Sequence, residues 1–474
     1  MSLRLSFYGE AGKVTGSNFL IESDKGKLLV DCGIEQGVDF AAAEVYGPFP
    51  YEAEDIDALV VTHAHLDHVG RIPKLVKDGF RGKIYMTPPT KDLAGLILRD
   101  SAGILGEEAS RLGRMPLYEE QDVDTAFTLT ETLDYHIEKE IAPGLSVYLR
   151  NTGHILGSAS VRITDEEGTA VALTGDIGNS PSPLLPDWEP VPDANALVME
   201  SVYGDRLHDD KKTRVERLRD ILSKAIAKNS TILIPAFSLE RTQLMLYELS
   251  NFFEAGALPT IPVFLDSPLA IHVTEIYEKW GQTYFKPETE DEMKREGSIF
   301  EFPFLKKTLS RQQSAEIEKT PSPKIIIAGA GMSHGGRIGR WEARYLPDPT
   351  TTLFVVGYQA PGTPGRRIAE GASSVRIAGS EVRIRATIEK LEGWSAHADR
   401  DELLKFAESY LSPRSEGRLT SLTARRPRVI FTAIGEPSAE RFLAQRIHDY
   451  LGARAIVPDF GETWEITKDS VKRI

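Results

Sequence analysis

The sequence predicts an α/β protein built in two parts, with the second part inserted into the first. Three observations carry that reading. Strand-like apolar runs with helices between them fill residues 1–204, four segments that each open on a short apolar strand fill 205–382, and strand-rich sequence returns over 383–474. The middle block has the texture of parallel βαβ units, and its flanks read as one layered α/β arrangement that the block interrupts. A length of 474 residues also exceeds one ordinary core and favours two domains.

The elements justify this in order. "LRLSFYGEAG", "SNFLIESDKGKLLVDCG" and "DALVVTHAH" are short strand-like runs broken by Gly, Asp and Lys-Gly turns, which predicts a β-meander. "GRIPKLVKDGF" and "TKDLAGLILRDSAGILGEEASRL" carry helical spacing, the second opening on Thr90 as its expected N-cap. Residues 145–179 return to strands, with "EEG" as a hairpin turn. In the middle block, "STILIPAFSLERTQLMLYELSNFF", "IPVFLDSPLAIHVTEIYEKW" and "PKIIIAGAGMSHGGRIGRWEARYL" each pass from a strand into a clear helix, and "TTLFVVGYQAPGTPGRRIAEG" opens on a strand alone. "SEVRIRATIEKLEGWSAHAD" reads as strands, followed by the helix "RDELLKFAESYL" and the strand "RVIFTAI".

Composition excludes several classes. The single cysteine, Cys32, allows no internal disulfide, and "MSLRLSFYGEAG" lacks the basic-then-apolar pattern of a signal peptide, so a cytoplasmic location is expected. No apolar run reaches the roughly 18 residues of a membrane span. A formal charge of −14 argues against generic adhesion to nucleic acid. It leaves room for a metal-centred site, because divalent cations can supply the dominant local positive charge.

"VVTHAHLDHVGRIPKL" supplies the chemistry. His63, His65, Asp67 and His68 follow an apolar strand, at its carboxyl end, where open α/β layers place ligands. Imidazoles and a carboxylate at alternating positions suit zinc. With "LLVDCG" (Asp31), "NTGHILGSAS" (His154) and "ALTGDIGN" (Asp176), the HxHxDH pattern resembles the metallo-β-lactamase superfamily. That resemblance implies an αββα sandwich in which one metal takes His63, His65 and His154, a second takes Asp67 and His68, Asp176 bridges them, and Asp31 supports them. The implied cofactor is zinc at two sites, with manganese as an alternative. Two such ions would lower the pKa of a shared water and neutralise charge on an attacked phosphoryl group, with Asp67 accepting the proton or orienting the nucleophile.

Beyond the metal motifs, "LVMESVYGDRLH" places Glu200 at a strand end and "LEGWSAHADRDELL" places His397 in a turn before a helix. These resemble the motif A acid and motif B histidine of the β-CASP nucleases, whose Rossmann-like parallel α/β insert the middle block resembles. "PAFSLERTQ", "LDSPLA", "GAGMSHGGR" and "VVGYQAPGTPGR" look like recurrent segments of that insert. The resemblance implies a metal-dependent ribonuclease, acting mainly as an endonuclease on single-stranded RNA, in which His397 protonates the leaving oxygen and Glu200 holds it. It also implies a possible homodimer. In the glycine-rich turn, Ser333, Arg337 and Arg340 are candidate RNA-backbone contacts, as is Arg241; His334 is given no role.

One motif breaks. Where the family carries a motif C histidine before Gly-Glu, this chain has Ile434, followed by Gly435 and Glu436. The second metal is therefore expected to bind more weakly, with Glu436 a better substitute than His448. The same break motivates an alternative, an RNA-binding protein with weakened or lost catalysis. "SPRSEGRLTSLTARRPR" sets five arginines against one glutamate and is a candidate guide for a nucleic-acid backbone.

Overall fold

The computed structural model describes residues 2–35, 46–191, 193–208, 211–357, 359–360, 362–391, 393–411 and 429–474. The arginine-rich run at 412–428 lies outside them. The chain divides into two compact units, Met1–Leu207 with His397–Ile474, and His208–Ala396.

The first unit is an αββα sandwich. One sheet has eight strands, in the order Val471–Arg473, Thr463–Ile466, Leu3–Phe7, Phe19–Glu22, Lys27–Val30, Ala58–Val60, Lys83–Met86 and Thr130–Thr132. The other has seven, in the order Arg454–Ile456, Val429–Thr432, Ala196–Met199, Ala170–Leu173, Ala159–Asp165, Leu145–Asn151 and Glu138–Ala142. Sequence beyond residue 428 thus adds strands to both sheets. Phe7 and Trp464 of the first sheet meet Phe431 of the second at ring centroids 5.2 and 5.1 Å apart, an aromatic seam inside the sandwich. Leu403, Phe406, Leu443 and Ile447 of the helices Arg400–Leu411 and Pro437–Leu451 share a core with Ala172, Leu197 and Ile430, covering the outer face of the seven-stranded sheet.

Two local expectations are corrected. The meander holds for the first three strands only, because Ala58–Val60 pairs in parallel with Lys27–Val30. The long helix runs Pro88–Leu112 and is capped by Thr87, whose side chain accepts from the Thr90 amide. Pro88 and Pro89 fill the first helical positions, where a missing N–H costs nothing, so the helix starts ahead of Thr90. The turn at "EEG" joins two antiparallel strands, with Gly168 at φ 84°.

The second unit has a six-stranded sheet, in the order Leu305–Lys307, Val263–Leu265, Lys324–Ala328, Thr231–Pro235, Thr352–Val356 and Thr387–Leu391, and every pairing is parallel. Its central strands are buried throughout, as strands covered on both faces must be. Thr387–Leu391 lies beyond residue 383 in sequence but pairs with Thr352–Val356 in this sheet. The fourth strand-opening segment, where no clear helix was expected, carries a short one, Pro364–Ala369, capped by Thr363. Among the described residues, no helix is long and apolar enough to cross a membrane.

Candidate metal centre

Strand direction gathers the site. Leu3–Phe7, Lys27–Val30 and Ala58–Val60 run the same way in one sheet, and Leu145–Asn151, Ala170–Leu173, Ala196–Met199 and Val429–Thr432 run the same way in the other. Within three residues of their carboxyl ends come Glu10, Asp31, His63, His154, Asp176, Glu200 and Ile434. His65, Asp67 and His68 follow His63 on the turn into the short helix Leu66–Val69. This turn is clamped from behind: Cys32 N–H donates to His68 O and Ser17 N–H to Asp67 O. Gly33 passes so close that an added Cβ would fall 1.5 Å from Asp67 O, so only glycine fits there.

The histidines are oriented by Asp31. Its Oδ1 accepts from Thr62 N–H at 2.8 Å, and its Oδ2 accepts from Thr62 Oγ1 at 2.8 Å and from His68 Nδ1 at 2.7 Å. Thr62 has then spent its only proton, so at 3.1 Å it accepts from His63 Nδ1. In the neutral form both rings are left with Nε2 as the lone pair, the tautomer that a cation requires.

Three groups of donor atoms result among the described residues, the third being Asp176, Glu200 and His397. In the first, His63, His65, His154 and Asp176 bring one ligand atom each within 4.8 Å of the others. His65 Nδ1 lies 3.0 Å from His63 Nε2 and 3.2 Å from His154 Nε2, and Asp176 Oδ2 lies 3.3 and 3.2 Å from the same two nitrogens. Ligands bonded tetrahedrally at zinc distances sit about 3.3 Å apart, so this set matches a divalent ion. In the second group, Glu10, Asp67 and His68 meet the same 4.8 Å criterion, and His68 Nε2 is also 3.5 Å from Asp176 Oδ1. The two oxygens of Asp176 thus face different groups.

Electrostatics favours cation binding. Burial pushes His63, His65 and His154 below the ordinary histidine range, toward the neutral form that ligation needs. Burial also disfavours a charged His68, but Glu10, Asp176 and Asp31 outweigh it and raise its pKa. Burial would raise Asp176 too, yet His68, His63 and His154 hold it well below the carboxylate range. Burial raises Asp67 and Glu10. Glu10 Oε1 and Oε2, His68 Nε2 and Asp176 Oδ1 are buried without a hydrogen-bond partner. Such atoms are costly in a protein interior, and a divalent cation is the partner they suit.

Glu200 and His397 adjoin this cluster. Glu200 Oε2 accepts from Ile177 N–H at 2.5 Å, and His397 Nδ1 lies 3.4 Å from it and 3.8 Å from Asp176 Oδ2. Burial pushes the Glu200 carboxyl up to about 7, against the opposing pull of His397. The turn carrying His397 bridges Gly178, and Ala398 N–H donates to Ile177 O. His397 retains 18% side-chain exposure, whereas Glu200 has none.

The second unit's candidate RNA contacts all have partners within the protein. Ser333 is buried and donates to Glu342 at 2.5 Å. Arg337 donates to Asp266 Oδ1, Thr308 O and Leu309 O. Arg241 is buried, 5.7 Å over the Phe237 ring. Arg340 pairs with Glu318 beside Trp341, though it stays half-exposed, and His334 is exposed. In the first unit, His448 is solvent-facing beside Asp449, and neither it nor Glu436 belongs to a ligand group among the described residues. Sequence reasoning missed Glu10, which it had read as part of a strand and turn.

Comparison with known proteins agrees with this geometry. Family profiles match residues 11–236 as the metallo-beta-lactamase superfamily, 242–368 as a Beta-Casp domain and 381–414 as a Zn-dependent metallo-hydrolase RNA specificity domain. Ribonuclease TTHA0252 of Thermus thermophilus is 35% identical over 86% of this chain and 91% of its own length. The RNase J-like protein of Methanocaldococcus jannaschii is 32% identical over 86% and 90%. Transcription termination factor FttA of Pyrococcus abyssi is 30% identical over 96% and 70%. A crystal structure of a protein of unknown function from Enterococcus faecalis shares the fold, with a TM-score of 0.56, 12% identity, and 98% and 99% of the two chains covered. A lactamase-like sandwich interrupted by a parallel α/β unit, matched over nearly its full length by these relatives, makes this chain a member of the β-CASP ribonuclease family within the metallo-β-lactamase superfamily.

Proposed function

We propose that this chain is a metal-dependent ribonuclease that hydrolyses single-stranded RNA endonucleolytically, with His397 as general acid. The observation that carries the reading is the adjacency of two ligand groups and a carboxylate-held, partly exposed histidine around Asp176. His63, His65, His154 and Asp176 would hold one cation, zinc by their nitrogen-rich chemistry, and Asp67, His68 and Asp176 would contribute to a second. Bound divalent ions supply acidified water and neutralise charge on a phosphoryl group.

The side chains do the rest. Asp67 accepts the proton of the attacking water or orients it. Glu200 Oε2, fixed by the Ile177 amide, accepts a hydrogen bond from His397 Nδ1–H and so orients the ring for proton delivery from Nε2 to the departing alkoxide. Water as nucleophile means that the products carry phosphate and hydroxyl ends and no 2′,3′-cyclic phosphate. Ile434 favours the competing reading of an RNA-binding chain with lost catalysis, and one experiment separates the two. Circular and linear labelled RNAs are incubated with the zinc- or manganese-loaded protein, and the product ends are read. The proposal expects linearised circles and full inhibition by a chelator. RNA bound but uncut would support the competing reading, and cleavage of linear RNA alone would remove the endonuclease.

A further inference from the structure

We infer that Glu10 completes the second cation site in place of the motif C histidine, and that this makes the second site oxygen-rich and selective for a harder cation than its neighbour. The inference rests on the two-cation reading above. Its observation is a carboxylate only 1% exposed, with neither oxygen hydrogen-bonded, grouped with Asp67 and His68 and 3.6 Å from His68 Nε2. A side chain in that state is a ligand waiting for a cation or a costly error, and its neighbours are ligands.

Backbone geometry ties Glu10 to the broken motif. Ile434 N–H donates to Glu10 O at 2.8 Å, so the residue that cannot coordinate holds the backbone of the one that can. Ile434 lies at φ 55° and Glu10 at φ 51°. Positive φ is a genuine outlier for a β-branched residue, whereas histidine tolerates it better. The strain at Ile434 is what a position shaped for another side chain retains once the coordinating role has moved across the hydrogen bond to the opposite sheet.

The swap changes the chemistry. The first group offers three imidazoles and one carboxylate oxygen, and the second, with Glu10, offers three carboxylates and one imidazole. Nitrogen-rich sets suit zinc, and oxygen-rich sets suit manganese or magnesium. Glu10 also adds a negative charge that a histidine would not, which strengthens retention of a second dication beside the first.

The test uses the full chain, stripped of metal and titrated with Zn(II) and Mn(II), with stoichiometry by elemental analysis and Mn(II) binding by electron paramagnetic resonance. Wild type is expected to hold zinc in one site and manganese in the other. Glu10→Gln, isosteric and uncharged, is expected to keep the zinc and lose manganese affinity by at least about 100-fold, beyond the effect of outer-shell changes. Glu10→Ala combined with Ile434→His is expected to regain a second ion with its preference shifted to zinc. Unchanged manganese affinity in Glu10→Gln overturns the inference, as does a wild type that binds one ion. A chain that binds two ions through Glu10 yet cuts no RNA leaves the ligand assignment standing and removes the ribonuclease proposal.

Discussion

Asp266 in the second unit and Asp176 in the first are both buried carboxylates, and they are treated in opposite ways. Asp266 accepts from Thr308 Oγ1 and Arg337 Nη1 on one oxygen, and from Ser314 Oγ and Trp341 Nε1 on the other, all at 2.6–2.7 Å. Asp176 faces His63, His154 and His68, and its Oδ1 has no hydrogen-bond partner. Taking either carboxylate out of water is expensive. Donors supplied by the protein offset that cost at Asp266, where the result is a fixed joint between neighbouring segments. At Asp176 the imidazoles offset only part of that cost, and Oδ1 is left without a donor that something outside the polypeptide could replace. The donor inventory of a buried acid thus separates a strut from a site.

The sharpest way to break this contrast is Asp176→Asn. If Asp176 serves both cations, the variant loses about 10⁴-fold in RNA cleavage, about 5.5 kcal/mol of transition-state stabilisation, and retains less metal. The metal-free variant is expected to lose stability, because the imidazoles that hold Asp176 ionised lose their partner, but by less than a strut would lose. A loss as large as that of Asp266→Ala would make Asp176 another strut. The converse substitution, Asp266→Ala, is expected to cost about 3–5 kcal/mol by urea denaturation, since it strands Arg337 and the Trp341 indole N–H together. A loss under 1 kcal/mol would show that those donors find water easily.

His397→Ala sharpens the comparison within the site. A positioned acid contributes about 10²- to 10⁴-fold, so if His397 serves as acid and not as ligand, cleavage falls by that factor while metal content stays at the wild-type level. A parallel loss of metal would turn His397 into a ligand, a role that its distance of 3.8 Å from Asp176 leaves geometrically open. Substrates with a better leaving group should recover much of the lost rate.

What could be read in the sequence divides along the same line. Ligands packed into one turn, as in His63 to His68, announce themselves by density, and the parallel unit announces itself by strand-helix alternation. Glu10 gives no local signal: it is one acid in a glycine-flanked turn, and only strand direction and the hydrogen bond to Ile434 expose it. The signal that could have found it is the vacancy at Ile434, followed by a search for an acid at the same sheet edge. Arg337 shows the same limit: its partner Asp266 is 71 residues away, so its ion pair could not be read from the glycine-rich turn that carries it. Thr387–Leu391 carries Glu389 and Lys390 on an edge strand, which gives it the polarity of an outer strand rather than of a covered parallel one.

Between strut and site stand the buried acids with a modest share of donors, and they supply the smallest predicted effect. Glu240 accepts from Tyr277 Oη, Glu342 accepts from Ser333 Oγ, and burial pushes each carboxyl up to about 7. Each keeps its proton in the fold while the unfolded chain has lost it. Their contribution is therefore fully present below the unfolded value near 4.5, declines as pH rises, and is gone above about 7. No single carboxyl can add more than about 1.4 kcal/mol per pH unit to that slope. Urea unfolding of the metal-free chain between those limits is expected to show stability falling with pH, and Glu240→Gln is expected to flatten the slope by up to one proton's worth. An unaltered slope in Glu240→Gln would mean that this carboxylate is as well served as Asp266, and that a single hydroxyl donor suffices to make a strut.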